Sequence, residues 1–303
     1  MLRSLRFRPE LLLALLLGCS GGTGLDDDDA VDDDDVVDDD DAADDDDSGP
    51  RLCNGHASLC DRPFDQAVLP STHNSMSNRD EGWIGPNQNV SIVDQLESGV
   101  RGLLLDTHYE GDELMLCHSW CLLGSKPLIE ALEEIRDFLT ANPNEVIAII
   151  FQDGISPEDT ERAFDEAGLL PLVYTPTDTW PTMGEMIDAD TRLIATAEAS
   201  GPPPAWYGHA WDVFWDTGYS WDSVDSFNCD ANRGSTDNGL FLLNHWLSNP
   251  LPHSAQAPVT NSGKVLRARV QACLDEHGRL PTMLAVDFHD VGDLMEVVAE
   301  LNE

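Results

Sequence analysis

From residue 67 onward the chain alternates between short apolar runs and longer stretches with helical spacing. The runs lie near 67–70, 101–105, 114–117, 146–151, 192–197, 240–244 and 283–288. Their nearly unbroken apolar character suits parallel strands buried on both faces. Between them, Pro127–Thr140 repeats Leu128, Ile129, Leu132, Ile135, Phe138 and Leu139 at helical spacing, with Glu133, Glu134, Arg136 and Asp137 outward. Ser156-Pro157-Glu158-Asp159 offers an N-cap and a first-turn proline for another helix, and 263–277 and 291–302 read as the last two. Seven strands are visible, and a weaker one at Leu170–Tyr174 makes eight. The pattern predicts an α/β fold, a TIM-type (β/α)8 barrel in regular or in distorted, incomplete form. Residues 200–238 break the alternation with Pro202-Pro203-Pro204 and a run of aromatics from Trp206 to Trp221, which reads as a long loop at the rim or over the mouth.

The front of the chain is of another kind. Residues 1–19 carry a basic start (Arg3, Arg6, Arg8) and an apolar core, Leu11 to Leu17, too short to span a bilayer. The ending Leu16-Leu17-Gly18-Cys19 resembles the bacterial lipoprotein cleavage box, which implies lipidation at Cys19 and, with Ser20 next, an anchor at the outer membrane or cell surface. An ordinary secretory signal is the alternative. Residues 20–50 hold four Asp tetrads (26–29, 32–35, 38–41, 44–47) that repel one another and have little apolar area to bury. A solvated stalk follows, since no glycine turns the repeat around an ion as calcium loops require. Residues 51–303 form the barrel domain.

Charge and cysteines narrow the setting. The chain has 57 acidic residues against 16 Lys and Arg. Leaving out the sixteen tract aspartates, Glu10 and the three leader arginines, 40 acids still face 13 bases, near −27. Nucleic acid is a poor partner for such a surface, and a soluble monomer facing the outside of the cell is expected. Apart from Cys19, six cysteines remain, an even number in an exported chain. Spacing suggests Cys53–Cys60 and Cys117–Cys121, which leaves Cys229–Cys273. A zinc site on Cys117, His118 and Cys121 is the competing reading.

Polar residues close the apolar runs: His73 and Asn74, Asp106 and His108, His118, Gln152 and Asp153, Glu198, Asn244 and His245, Asp287 and His289. In α/β barrels such strand ends converge on one mouth. Two imidazoles, His73 and His118, with Asp106 between them in sequence, could supply a base, an acid and a charge partner for breaking a phosphodiester. Asp287 could orient His73, or merely cap a turn. His108, His245 and His289 read as surface or rim polar groups, and Arg101 as a buried structural residue. Trp120, Trp211 and Trp246 could stack on a sugar or pack in the interior.

Ser71-Thr72-His73-Asn74-Ser75, residues 95–106 (Gln-Leu-Glu-Ser-Gly-Val-Arg-Gly-Leu-Leu-Leu-Asp) and Leu116-Cys117-His118-Ser119 resemble the X-domain of phosphatidylinositol-specific phospholipase C, in its cysteine-containing bacterial and plant branch. Asn142-Pro143-Asn144-Glu145 and Trp180-Pro181-Thr182-Met183-Gly184-Glu185-Met186 extend the likeness, firm over about 65–200. The resemblance implies a phosphoric diester hydrolase acting on a phospholipid or inositol phosphodiester. His73 would be the general base toward the inositol 2-hydroxyl, and His118 the general acid toward the leaving diacylglycerol oxygen. It also implies a cation beside the phosphate. Asp106 stands where metal-independent relatives carry an arginine, and Asn74 and Asp106 match calcium ligands. The other acidic ligand positions read Leu104 and Gln152, with Asp153 as a substitute, so calcium is expected on Asn74, Asp106 and Asp153 with an incomplete ligand set. The alternatives are a glycerophosphodiester- or sphingomyelin-type phosphodiesterase, or a non-catalytic surface binding protein on the same barrel.

Overall fold

Eleven strands form among the residues that the computed structural model describes, 49–248, 252 and 254–303. They are β1 (Leu69–Thr72), β2 (Gly102–Glu110), β3 (Glu113–Leu116), β4 (Lys126–Pro127), β5 (Ile147–Asp153), β6 (Leu193–Ala197), β7 (Gly208–His209), β8 (Phe214–Thr217), β9 (Ala231–Arg233), β10 (Leu240–His245) and β11 (Met283–Val286). The leader, the lipidation candidate Cys19 and the Asp tetrads lie outside the described residues.

The sheet runs β7-β6-β5-β2-β1-β11-β10-β8-β9. Its first eight members are all parallel. These are the eight strands of the expected barrel, curled but open, since no pairing joins β7 to β8 among the described residues. Period-two alternation sorts their side chains. Ala148, Ile150, Ile194, Phe214, Leu240, Leu242, Met283 and Ala285 share the inner cluster, with Leu104 packed against it. Leu103, Leu105, Ile147, Ile149 and Phe151 face outward onto Leu128, Leu132, Ile135 and Leu139 of the helix Leu128–Ala141. On the other side Phe241, Leu243, Leu284 and Val286 meet Leu266 and Val270 of the helix Gly263–His277. The helix Pro157–Glu166 starts as expected, with the Ser156 side chain accepting from the Asp159 N–H.

Three expectations are corrected. The run at 114–117 is no barrel strand: β3 returns antiparallel to β2 through Gly111-Asp112, with Glu110 opposite Glu113. So short a link cannot make the crossover that a parallel partner requires, and Gly111 takes the positive φ of the tight turn. Leu170–Tyr174 forms a 3-10 turn over Leu170–Leu172 instead of a strand. Pro171 has no N–H to give to a sheet. The missing barrel strands are β7 and β8, two and four residues long, inside the segment read as loop. They are too short for periodicity to register.

All three cysteine pairs form as spaced, Cys53–Cys60, Cys117–Cys121 and Cys229–Cys273, which removes the zinc alternative. Gly102 marks the tightest strand approach: a Cβ there would lie 2.0 Å from Ser71 Oγ and 2.7 Å from Met283 Cε. Gly102→Ala is therefore expected to destabilise the fold by about 1–3 kcal/mol in urea unfolding. An unchanged midpoint would contradict this packing.

Candidate active site

β1 and β11 pair with Thr72 opposite Val286, so the next residues, His73 and Asp287, leave the sheet side by side. His73 Nδ1–H donates to Asp287 Oδ1 at 2.9 Å, which leaves Nε2 as the free acceptor of the ring. Trp246 stacks on the imidazole at 3.9 Å between centroids and 5° between planes, so ring position and tilt are both fixed. Asn87, from the loop after β1, donates to Asp287 Oδ1 at 3.0 Å and accepts from Asn74 Nδ2 at 3.2 Å. Gln88 binds the His73 and Val286 carbonyls from the same loop.

His118 reaches this cluster from another direction. The β2–β3 hairpin carries it to the rim, where the Cys117–Cys121 disulfide closes a five-residue loop around it. Asn74 Nδ2 lies 3.2 Å from His118 Nδ1. That bond suits a neutral ring with its proton on Nε2. A protonated ring would require the Asn74 amide to turn and accept. Partial burial, with His73 nearby, holds His118 below the usual imidazole pKa, although the residue remains exposed at the rim.

His73, Asn74, Asp106, His118, Gln152, Glu198, Arg233, Asn244 and Trp246 all line one open cleft of about 320 Å³. Asp106 is 4% exposed and receives no side-chain hydrogen bond among the described residues. Burial pushes its carboxyl up to about 7, with His73 opposing and Glu198 adding to the rise. The unfolded chain ionises this group near 3.8, so its burial costs stability increasingly as pH rises from there to about 7. In a chelating buffer, Asp106→Asn is expected to be more stable than the native chain at pH 8, by up to about 4 kcal/mol. The gap should close toward pH 4. A variant no more stable at pH 8 would contradict this.

The opposite wall is built on Asp216 at the end of β8, which is fully buried. Its Oδ2 accepts from Arg233 Nη2 at 2.6 Å and from Asn244 Nδ2 at 3.0 Å. Arg233 also pairs with Glu198 at 3.0 Å and lies over Trp211 and Tyr219. Three of its five N–H groups are engaged with carboxylates, and the remainder are available to a ligand. Among the described residues Arg233 is the one Lys or Arg lining the cleft, against the lining carboxylates Asp106 and Glu198 and with Asp216 and Asp287 behind. An anionic substrate entering this field needs added positive charge or protons.

A calcium ion fits part of this set. Asp106 is an unpaired buried carboxylate, Asn74 Oδ1 is free while its Nδ2 donates, and Gln152 stands beside Asp106 in register. All three offer hard oxygen donors. Asp153 does not join them: strand alternation turns it off the cleft, and its Oδ1 accepts from the Ala199 N–H instead. No group of three or more His, Cys, Asp or Glu suited to a metal occurs among the described residues, so carbonyl oxygens would carry much of the coordination.

The other histidines depart from their expected surface or rim positions. His245 is fully buried with Nε2 on the Thr260 carbonyl, and His289 is buried between Ser98 and Gln88. His108 sits off the cleft lining. Arg101 is structural as expected, paired with Glu145 at 2.7 Å. Of the tryptophans, Trp246 supports His73, Trp211 supports Arg233 and Trp120 is 73% exposed on the His118 loop. Asn87, Asp216, Tyr219 and Arg233 escaped the strand-end reading. The scarcity of basic residues gave one signal for Arg233, which lies among Asp222, Asp225, Asp230 and Asp237.

Fold and cleft together define a phospholipase C-like barrel. The chain belongs to the PI-PLC X family, whose model (PI-PLC X 1) matches residues 59–302. It is 27% identical over 285 residues to an uncharacterized secreted protein of Arthroderma benhamiae, covering 83% of this chain and 64% of that protein. A PI-PLC X domain-containing protein of Arabidopsis thaliana is 28% identical, with 79% of this chain and 62% of the relative covered. The chain thus spans less than two thirds of the length of these two relatives. Phosphatidylinositol-specific phospholipase C of Staphylococcus aureus shares the fold, with a TM-score of 0.56 at 18% identity, over 80% of this chain and 94% of that one.

Proposed function

We propose that this protein is an exported phosphodiesterase that cleaves a phospholipid or inositol phosphodiester by histidine acid–base catalysis. The observation that carries the reading is His73, held through Nδ1 by Asp287 with Nε2 free, in one cleft with His118. His73 Nε2 takes the proton of a hydroxyl adjacent to the phosphate, and that oxygen forms the new bond to phosphorus. The bond to the leaving alcohol breaks, and protonated His118 gives its proton to that oxygen. The products are a cyclic phosphate and the free alcohol, diacylglycerol when the substrate is phosphatidylinositol. In the neutral form of His118, Asn74 holds the ring and, through Asn87, ties it to the base.

Calcium held by Asp106, Asn74 and Gln152 would supply the positive charge that phosphoryl oxygens need in this acidic cleft. The secreted relative supports export. The Cys19 segment supports a lipid anchor that would keep the barrel near a membrane substrate. The test is a panel of phosphatidylinositol, sphingomyelin and glycerophosphodiester substrates, each with calcium and with chelator. Turnover of phosphatidylinositol, lost in chelator, is expected. Inertness toward every diester would reject the enzymatic reading in favour of a binding protein.

A further inference from the structure

Four large apolar residues that the fold leaves exposed, Ile84, Trp120, Leu122 and Leu123, stand on two adjoining loops. Trp120 is 73% exposed, Leu122 92% and Ile84 67%. Cys121 is tied to the buried Cys117, which holds the middle of its loop down and leaves the residues on either side of it in solvent. The Ile84 N–H donates to the Leu123 carbonyl at 2.7 Å, so the two loops meet backbone to backbone. Trp83, next to Ile84, is buried against the other loop: a Cβ at Gly124 would lie 2.3 Å from its Cδ2. The exposed side chains therefore stand on a braced support.

Charge sets this part of the rim apart from the rest of the barrel. Residues 82–93 and 114–125 contain no Asp or Glu, in a domain where 40 acids face 13 bases. Glu81, just before the first stretch, is paired with Lys126, just after the second, at 2.7 Å. Four side chains fall well short of the roughly 800 Å² per partner of a stable protein interface. Insertion into lipid needs no complementary surface, and an amphipathic indole suits the boundary between water and acyl chains. Position agrees with this occupant. His118, two residues before Trp120, faces the leaving alcohol, which for phosphatidylinositol is a diacylglycerol still held in the lipid layer.

We infer that the loop closed by Cys117 and Cys121, together with Ile84, is a docking tip that enters a lipid surface of low negative charge and brings the cleft to its substrate. The choice of a lipid surface rests on the phospholipid reading given above. The acidic remainder of the barrel turns the protein away from strongly anionic membranes.

Tryptophan fluorescence of the full chain with phosphatidylcholine vesicles, brominated or not on the acyl chains, tests it. All eight tryptophans are described and Trp120 alone among them is exposed, while residues 1–48 contain none, so a leader or lipid anchor adds no signal. Quenching by the brominated vesicles is expected, and Trp120→Phe should remove it. Leu122→Ser and Ile84→Ser should each raise the vesicle concentration for half-maximal quenching by about fivefold or more. Replacing half of the phosphatidylcholine by phosphatidylglycerol should raise it too. Turnover of a soluble short-chain phosphatidylinositol should be unchanged in the Leu122 and Ile84 variants. No quenching of the native chain, or quenching that survives Trp120→Phe, would overturn the proposal. So would a dimer that Leu122→Ser dissociates, which would assign the tip to a second copy. Quenching needs no turnover, so its absence from a chain that cleaves the soluble diester rejects the tip alone. Quenching by a chain inert toward every diester would uphold the tip and reject the catalytic reading.

Discussion

His118→Ala is expected to lower kcat/KM on a diester with an alcohol leaving group by about 10²- to 10⁴-fold, the usual worth of a positioned proton donor. The loss should depend on the leaving group. An alkoxide departs poorly without a proton, whereas a nitrophenolate departs without help, so a nitrophenyl ester of the same head group should recover most of the rate. His73→Ala should show a loss of similar size with no such recovery, because the attacking hydroxyl still has to give up its proton. Equal loss on both esters for both variants would contradict the assignment of acid and base. The pH profile offers a further check. Burial and the nearby His73 hold His118 below the usual imidazole value. Its protonated fraction in the free protein is therefore lost at lower pH than for an unperturbed ring, and kcat/KM should begin its alkaline fall correspondingly early.

Asp287→Asn is expected to cost about 10²-fold or more in kcat while leaving the fold intact. The carboxylate accepts from His73 Nδ1 at 2.9 Å and so keeps the basic lone pair on Nε2, facing the cleft. An asparagine can present its NH₂ to Nδ1 and favour the opposite tautomer, with Nε2 protonated and useless as a base. Asn87, 3.3 Å from the same Nδ1, would reinforce that wrong state once the acceptor is gone. Thermal unfolding at neutral pH should change little by comparison, since the amide fills the same space. A variant with native kcat would show that Asp287 serves only the strand end.

Much of this site was legible because parallel strands deliver their C-terminal ends to one mouth. His73, Asp106, Gln152, Glu198 and Asn244 all arrive where strand-end placement expects them, and His118 joins them by way of the antiparallel hairpin instead. The Asp287 role was equally open to a turn-capping reading. Its contact with His73 emerges only through register, Thr72 opposite Val286, which no single-sequence pattern gives. Asp153 falls outside the cleft lining because side chains alternate across a strand, and one residue of slip reverses the face. β7 and β8 were hidden by length, and with them Asp216 and the anchoring of Arg233. The loop residue Asn87 was beyond reach as well, since it acts through contacts 13 and 200 residues away in sequence. The hairpin β2–β3 was misread for a simpler reason: apolar content suggested a strand correctly, but the short link ruled out a parallel one.

An internal displacement run by two histidines carries its signature in the first product. Phosphorus NMR of the native protein with phosphatidylinositol vesicles and calcium should show a five-membered cyclic phosphate resonance growing before any monoester. In His73→Ala and His118→Ala that resonance should be absent over the same period. A monoester formed directly, or a cyclic product made equally well by His118→Ala, would contradict the account.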